Sequence, residues 1–121
     1  MTKYLADTNI LIDHLRGNVQ ATEFLTTQSP VISAVTVVEL IQGCRNPKEL
    51  AQVNTLLVDF EVMHIDYSIS SLATTLVSDL YLSFGMKFLD ALVAATAIKH
   101  NLILKTQDVK HFKCIKKLVT A

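Results

Sequence analysis

The sequence predicts a single α/β/α sandwich, in which one parallel sheet of about five strands is flanked by helices. Three observations predict this class. Short β-prone runs alternate with helix-length segments, no segment reads as a linker or a repeat, and 50% of the 121 residues are hydrophobic while 18% are charged. Strands separated by helices form parallel sheets that are covered on both faces. We therefore expect one domain over residues 1–121, long enough to bury its own core.

The first half of the chain predicts three strands and four helices. The strands are the β-prone runs KYLAD (3–7), PVIS (30–33) and FEVMHI (60–65). The helices are residues 8–17, closed by Gly17, residues 19–27, ended by Ser29-Pro30, residues 34–45, and residues 47–59. Asn46 and Pro47 start the last helix, because Asn is a good cap and Pro suits the first helical turn.

The second half contains the clearest helix of the sequence. From Asp66 to Phe84, apolar residues recur at steps of three and four, and Gly85 follows where helices commonly end. The elements expected after it are an apolar helix (88–100), the strand LILKT (102–106), a short loop or turn (107–112) and a last strand around 118–120.

Composition restricts the classes of function. The formal net charge is zero and the pI is about 6.9, so a polyanion would need a local basic site rather than a wholly basic surface. No apolar run approaches the roughly 18–20 residues of a membrane span, and we expect no membrane partner. Cys44 and Cys114 match no metal spacing. Without a signal peptide, we expect two reduced thiols in a cytoplasmic protein.

Four of the eleven acidic residues stand out because of the elements that carry them. Asp7 and Asp108 directly follow predicted strands, whereas Glu39 and Asp90 lie in or near the starts of apolar helices. In open parallel sheets, ligands bind beyond the carboxyl ends of the strands. We therefore expect the four carboxylates to converge at one edge of the sheet.

Each of these acids also has an ordinary structural explanation. Asp7 could cap the next helix, and Asp108 could be a turn carboxylate. Asp90 could complement a helix dipole, which is worth roughly 0.3–1 kcal/mol. Glu39 is too far into its helix to be a cap.

The alternative for Glu39 is an exposed position on the outer face of its helix. It applies if Val35, Val38 and Ile41 form the face that packs on the core. Glutamate is rarely buried without a partner, so this alternative stays open at the level of sequence.

A convergence of four carboxylates requires a cation. Without one the charges would repel, and some of the carboxyls would have to bind protons. A hard divalent ion removes this conflict, and all-oxygen ligands favour Mg²⁺ or Mn²⁺ over zinc. Such a site suits phosphodiester hydrolysis, because the metal activates water and stabilises charge on phosphoryl oxygens. The histidines lack ligand spacing and are interpreted as non-catalytic: His14, His64, His100 and His111.

Four segments together resemble the PIN-domain nucleases, and most closely the small bacterial VapC-type toxins of type II toxin–antitoxin pairs. The segments are DTNILIDHL (7–15), VVEL (37–40), FLDALVAATA (88–97) and KTQDVKHF (105–112). They occur in the family's order and at similar spacing, and they cover nearly the whole chain. The resemblance implies the family's fold, a parallel sheet of about five strands between helices.

The resemblance also implies roles for individual residues. Asp7, Glu39 and Asp90 fall on the three most constant acids of the family's metal site. Asp108 falls on a fourth position that varies in the family and is often Asn. Thr8 and Thr106 match positions where a hydroxyl often supports the site, although an N-cap and a strand end would explain them equally well.

The activity and partners implied by the resemblance are those of a toxin. Members of that family are Mg²⁺- or Mn²⁺-dependent endoribonucleases that typically act on tRNA or ribosomal RNA, are usually homodimers and are inhibited by a separate antitoxin. The high apolar fraction on short helices suggests a covered surface, and the helices at 19–27 and 47–59 are candidates for self-association or antitoxin docking.

Basic residues cluster near the end of the chain. The lysines concerned are Lys105, Lys110, Lys113, Lys116 and Lys117. They could form a solvated surface or a rim that contacts RNA phosphates. Arg16 and Arg45 end helices, where a cation suits the helix dipole, and are interpreted as structural.

Two other functions are compatible with the predicted fold. A receiver-type phosphoacceptor also places acids at strand ends, but it needs a second acid beside Asp7, where Thr8 and Asn9 stand. A catalytically silent PIN-fold domain that binds RNA or protein would be favoured by the loss of one of the four acids, and none is lost.

Overall fold

A computed structural model describes residues 3–121 of the chain, so that residues 1 and 2 of the expected domain lie outside the described residues. The strands are β1 (Tyr4–Ala6), β2 (Ile32–Ser33), β3 (Val62–Met63) and β4 (Ile103–Lys105). The helices are α1 (Thr8–Leu15), α2 (Val19–Gln28), α3 (Ala34–Gln42), α4 (Pro47–Leu57), α5 (Tyr67–Phe84), α6 (Phe88–Lys99) and α7 (Val109–Phe112).

The four strands pair in parallel in the order β3-β2-β1-β4. The paired residues are Tyr4 with Ile103, Leu5 with Leu104 and Ala6 with Lys105 in one ladder, and Ile32 with Val62 and Ser33 with Met63 in the other. A single bridge between Leu5 and Val31 joins the two ladders. Strand β1 therefore lies inside the sheet, and its carboxyl end leads directly to Asp7.

The expected fifth strand consists of one parallel bridge between Leu104 and Thr120. The N–H of Leu104 donates to the Val119 carbonyl at 2.9 Å, and the N–H of Ala121 donates to the Leu104 carbonyl at 2.9 Å. The chain end thus extends the sheet beyond β4 without forming a full strand.

The segment that was expected to be a loop between β4 and the chain end contains the short helix α7. A helix of four residues shows no periodicity, and burial of Phe112 holds it against the core. After β4 the chain therefore has a short helix where a loop was expected, and a single bridge where a strand was expected.

Two hydrophobic clusters cover the two faces of the sheet. Successive residues of a strand point to opposite faces, and Leu5 belongs to one cluster while Ala6 belongs to the other. The Leu5 cluster includes residues of α5 and α6, and the Ala6 cluster includes residues of α1, α2 and α4. This confirms the predicted α/β/α sandwich.

Helix α6 is buried on all sides over Ala91–Ala97, as expected for a helix that is apolar around its whole circumference. Its first turn carries Asp90 at the edge of this core. Among residues 3–121, no helix is both long and apolar enough to span a membrane.

Candidate active site

Asp7 lies where β1 ends and α1 begins, and it has both of the roles considered from the sequence. Its Oδ1 accepts a hydrogen bond from the Thr8 N–H at 2.9 Å, which caps α1. Its Oδ2 accepts one from the Thr106 hydroxyl at 2.8 Å. Burial raises the pKa of Asp7, and the negative charges of Asp90 and Glu39 raise it further, against the two hydrogen bonds that lower it. Asp7 is therefore both a helix cap and a carboxylate on which the charges of Asp90 and Glu39 act.

Thr106 is buried beneath Asp7 and connects it to the chain beyond β4. Its Oγ1 accepts hydrogen bonds from the Asp108 N–H at 3.0 Å and from Asn9 Nδ2 at 3.3 Å. A hydroxyl has one hydrogen and two lone pairs, so these two bonds leave the hydrogen for Asp7. The Thr106 hydroxyl thus donates to Asp7 in a fixed orientation.

Glu39 reaches the site through Thr8. The Thr8 hydroxyl donates to Glu39 Oε1 at 2.6 Å, and its oxygen lies 2.9 Å from the hydroxyl oxygen of Thr36. Because the Thr8 hydrogen points to Glu39, the Thr36 hydroxyl must donate to Thr8. Thr36 is fully buried and precedes Glu39 by three residues on α3, which places the two side chains on the same side of the helix.

The alternative in which Glu39 lies outside the core face is wrong. Val38 and Ile41 are 50% and 39% exposed, whereas Leu40 is buried. Helix α3 therefore packs through Val35, Thr36 and Leu40, and half-buried Glu39 lies at the border of this face.

Asp90 contacts a histidine that the sequence analysis set aside. Its Oδ2 lies 3.0 Å from His111 Nε2, so that α7 is joined to the start of α6. His111 is interpreted as non-catalytic from the sequence because it lacks ligand spacing, and the short helix that carries it was not predicted. The available signal was its position three residues after Asp108, which brings it back to the same edge of the sheet.

Asp108 is the most loosely held of the four predicted acids. It is exposed, its side chain does not cap α7, and it is connected to the site by its backbone N–H. The charges that act on Asp7 are those of Asp90 and Glu39. Asp90 and Glu39 thus lie near enough to Asp7 for their charges to act on it, whereas Asp108 is not among the charges that do so.

Thr36, Asn9 and His111 are site neighbours that were missing from the predicted set. Besides its bond to Thr106, Asn9 accepts a hydrogen bond from the Gln107 N–H at 3.2 Å through Oδ1. The common signal is sequence proximity to a predicted acid, at two or three residues. This spacing is too frequent in any sequence to be selective.

The carboxylates match a hard divalent ion in their chemistry. In the described part of the chain, no three His, Cys, Asp or Glu side chains are grouped so that they could hold a metal ion. Glu39 is turned toward Thr8 and Asp90 toward His111. The oxygen donors are nevertheless of the kind that Mg²⁺ and Mn²⁺ prefer, and the charges of Glu39 and Asp90 both act on Asp7.

The lysines near the chain end do not form one group. Lys105 is directed toward α2, where its Nζ lies 5.5 Å from the centre of the Phe24 ring. The other four lysines of this segment are exposed: Lys110, Lys113, Lys116 and Lys117. Any basic rim near Asp108 therefore consists of residues in and after α7.

A groove of about 610 Å³ extends from Glu39 between α1, α3 and α4. Its apolar lining is Ile12, Leu15, Leu40 and Val53, and its charged lining includes Arg16, Arg45 and Glu49. Arg45 is paired with Glu49 at 2.9 Å, and the pairing lowers the pKa of Glu49. One of the two helices proposed for partner docking, the one at 47–59, thus borders a groove that ends at the site.

The raised pKa of Asp7 predicts a specific pH dependence of stability. Because the folded protein holds this proton more tightly than the unfolded chain, the contribution of Asp7 to the free energy of unfolding declines as the pH rises from its ordinary value of 3.8 through the raised value. Urea unfolding of the metal-free protein between about pH 3 and about pH 7 measures this. Asp7→Asn should lose less stability with rising pH than the wild type, and identical pH profiles would contradict the expectation.

Comparison with known proteins places these features in a family. The family model described as PIN domain matches residues 4–118. Ribonuclease VapC10 of Mycobacterium tuberculosis is 36% identical over 119 aligned positions, which cover 94% of this chain and 89% of that protein. Ribonuclease VapC1 of Methanocaldococcus jannaschii is 33% identical over 117 positions, which cover 95% of this chain and 82% of that protein.

Solved structures show the same fold. A toxin–antitoxin complex from Klebsiella pneumoniae contains a chain with a TM-score of 0.82 and 30% identity, covering 98% of this chain and 97% of that one. DNA-bound VapBC from Salmonella typhimurium gives a TM-score of 0.86 at 23% identity, covering 100% of this chain and 98% of that one.

Proposed function

The chain belongs to the PIN domain family, and we propose that it is an endoribonuclease toxin that uses Mg²⁺ or Mn²⁺ at the carboxylate edge of its sheet. It is a nuclease, a hydrolase of phosphodiester bonds, like the ribonucleases that match it over 89% and 82% of their length. The observation that carries the proposed chemistry is the placement of the acids at the carboxyl end of β1, where the Thr106 hydroxyl holds Asp7, the Thr8 hydroxyl holds Glu39, and the charges of Glu39 and Asp90 act on Asp7.

In this proposal, Asp7, Glu39 and Asp90 would hold the ion and Asp108 would complete the site from the rim. A bound ion supplies activation of water and stabilisation of charge on the phosphoryl oxygens. The side chains of the protein would orient the ligands. Thr106 orients Asp7, and Thr8, supported by Thr36, orients Glu39.

The test is cleavage of total cellular RNA by purified, antitoxin-free protein with Mg²⁺ or Mn²⁺ and with excess chelator. We expect cutting with either ion, none with chelator, and recovery when the ion is added back, because a hydroxide nucleophile and charge stabilisation both depend on it. Cutting that is unaffected by chelator would refute the metal-dependent mechanism. A folded protein that binds Mn²⁺ but cuts no cellular RNA would favour the silent binding domain.

We propose that the RNA is tRNA or ribosomal RNA and that a cognate antitoxin inhibits the enzyme in the cytoplasm. The solved relatives include toxin–antitoxin complexes, one of them at 30% identity. The groove between α1, α3 and α4 supports antitoxin docking, because Leu15 is exposed in its lining and Glu39 borders it. A partner seated there would lie beside one of the carboxylates that the RNA needs.

Self-association as a homodimer is supported by a different surface from the one expected. The candidates from the sequence, α2 and α4, expose few large apolar residues, among them Val19 and Leu50. A denser exposed group lies where α5 ends and α6 begins: Tyr81, Leu82, Phe84, Phe88 and Leu89. Exposed apolar patches commonly mark protein interfaces, and we propose this one for the dimer.

A further inference from the structure

His111 contacts a carboxylate of the proposed site, although it is not one of the acids. Its Nε2 lies 3.0 Å from Asp90 Oδ2, and the side chains are 30% and 44% exposed. An ionised carboxylate only accepts hydrogen bonds, so the hydrogen is on Nε2 and His111 is the donor. One of the two oxygens of Asp90 is therefore held by a residue 21 positions away.

The imidazole is held in place by its neighbours in α7. Phe112 is buried, and its ring meets the His111 ring edge-on at a centroid distance of 5.4 Å. The His111 N–H donates to the Asp108 carbonyl at 3.2 Å. Buried Phe112 anchors α7, and this anchoring places the neighbouring His111 ring within hydrogen-bond distance of Asp90.

We propose that His111 is a positioning residue that holds Asp90 Oδ2 and leaves Oδ1 available for the divalent ion. This rests on the proposed metal site. Partners of metal ligands fix the orientation of the ligand, and their loss typically lowers metal affinity by about 10–100-fold. The same contact holds α7, and with it Asp108, against the start of α6, so His111 sets the separation of two of the four acids.

The experiment compares Mn²⁺ binding by calorimetry in the wild type, His111→Ala and His111→Gln. His64→Ala is the matched control, because His64 is an exposed histidine after β3, at the far end of the sheet from β4. We expect His111→Ala to weaken Mn²⁺ binding by about 10–100-fold and His64→Ala to leave it unchanged. His111→Gln should recover most of the affinity, since its amide N–H can donate from a similar position.

RNA cleavage gives a second readout for the same variants. We expect His111→Ala to lower kcat more than it raises KM, because it disturbs the ligand rather than the RNA surface, and His111→Gln to restore kcat. Circular dichroism in chelator serves as the fold control, and the spectra of all variants should agree with that of the wild type. Unchanged Mn²⁺ affinity in His111→Ala would overturn the inference.

Other outcomes separate this inference from the proposed function. Equal loss of Mn²⁺ affinity in His111→Ala and His111→Gln would overturn positioning by hydrogen-bond donation. The expected affinity pattern in a protein that cuts no RNA would support the inference and overturn the proposed function. A wild-type protein that binds no Mn²⁺ would overturn both.

Discussion

Asp90→Asn and Asp7→Asn are each expected to abolish RNA cleavage while the fold survives. Both carboxylates are proposed ligands, and replacing a carboxylate by an amide removes the charge that binds the ion. Mutation of a residue that only hydrogen-bonds a metal ligand lowers metal affinity or activity by about 10–100-fold. We therefore expect the cleavage rate to fall by at least about 100-fold when a ligand itself is replaced. Cleavage rates in buffer of defined Mg²⁺ concentration, with circular dichroism of each variant, measure the effect.

Asp108→Asn makes the same chemical change as Asp7→Asn and Asp90→Asn, but we expect it to lower the cleavage rate less. Its side chain is exposed and does not cap α7, and an Asn carbonyl can still act as an oxygen ligand. We expect a loss of about tenfold or less, the lower end of the range for supporting groups. A loss as complete as that of Asp90→Asn would show that Asp108 is a full ligand. Wild-type rates in both Asp7→Asn and Asp90→Asn would refute the site.

Thr8→Val is expected to lower the free energy of unfolding by roughly 1–3 kcal/mol, the cost of leaving a buried polar group unpaired. Thr36 is fully buried and donates its hydrogen bond to Thr8, which in turn donates to Glu39. Valine keeps the shape of threonine and removes both bonds. Urea unfolding in chelator measures the loss without any contribution from a bound ion.

Two comparisons make this expectation specific. Thr8→Ser keeps the hydroxyl and should retain most of the stability. Thr75→Val removes a hydroxyl from an exposed position on α5, where it bonds only the Ser71 carbonyl at 3.3 Å, and should have a small effect. If Thr8→Val were no more destabilising than Thr75→Val, the Thr36 hydroxyl would not depend on Thr8.

The helices were predictable where their ends are determined by nearby residues. Asp66 accepts a hydrogen bond from the Ile69 N–H at 2.9 Å, and Gly85 has a φ of 70°, so both ends of α5 follow from local geometry. Strand lengths were less predictable. The run expected over 60–65 is a strand only at Val62–Met63, because a ladder extends only as far as its neighbour does.

The site also has a part that the sequence predicts and a part that it does not. That Asp7 ends a strand inside a parallel sheet, and that Glu39 and Asp90 lie near it, follows from the alternation of elements and from the rule that such sheets bind ligands at the carboxyl ends of their strands. The sequence by itself therefore determined the fold class, the positions of the six longer helices and the strand end that carries Asp7, whereas it extended α3 to residue 45 and α4 to residue 59 and missed α7.

Only the tertiary structure decided how the acids are held. Thr36 meets Thr8 across 28 positions, His111 meets Asp90 across 21, and Thr106 meets Asp7 across 99. Caps and helical periodicity act between residues within about four positions, so a sequence pattern records them. A hydrogen bond between distant segments depends on how whole elements pack, and no local pattern specifies which hydroxyl or imidazole will face a given carboxylate.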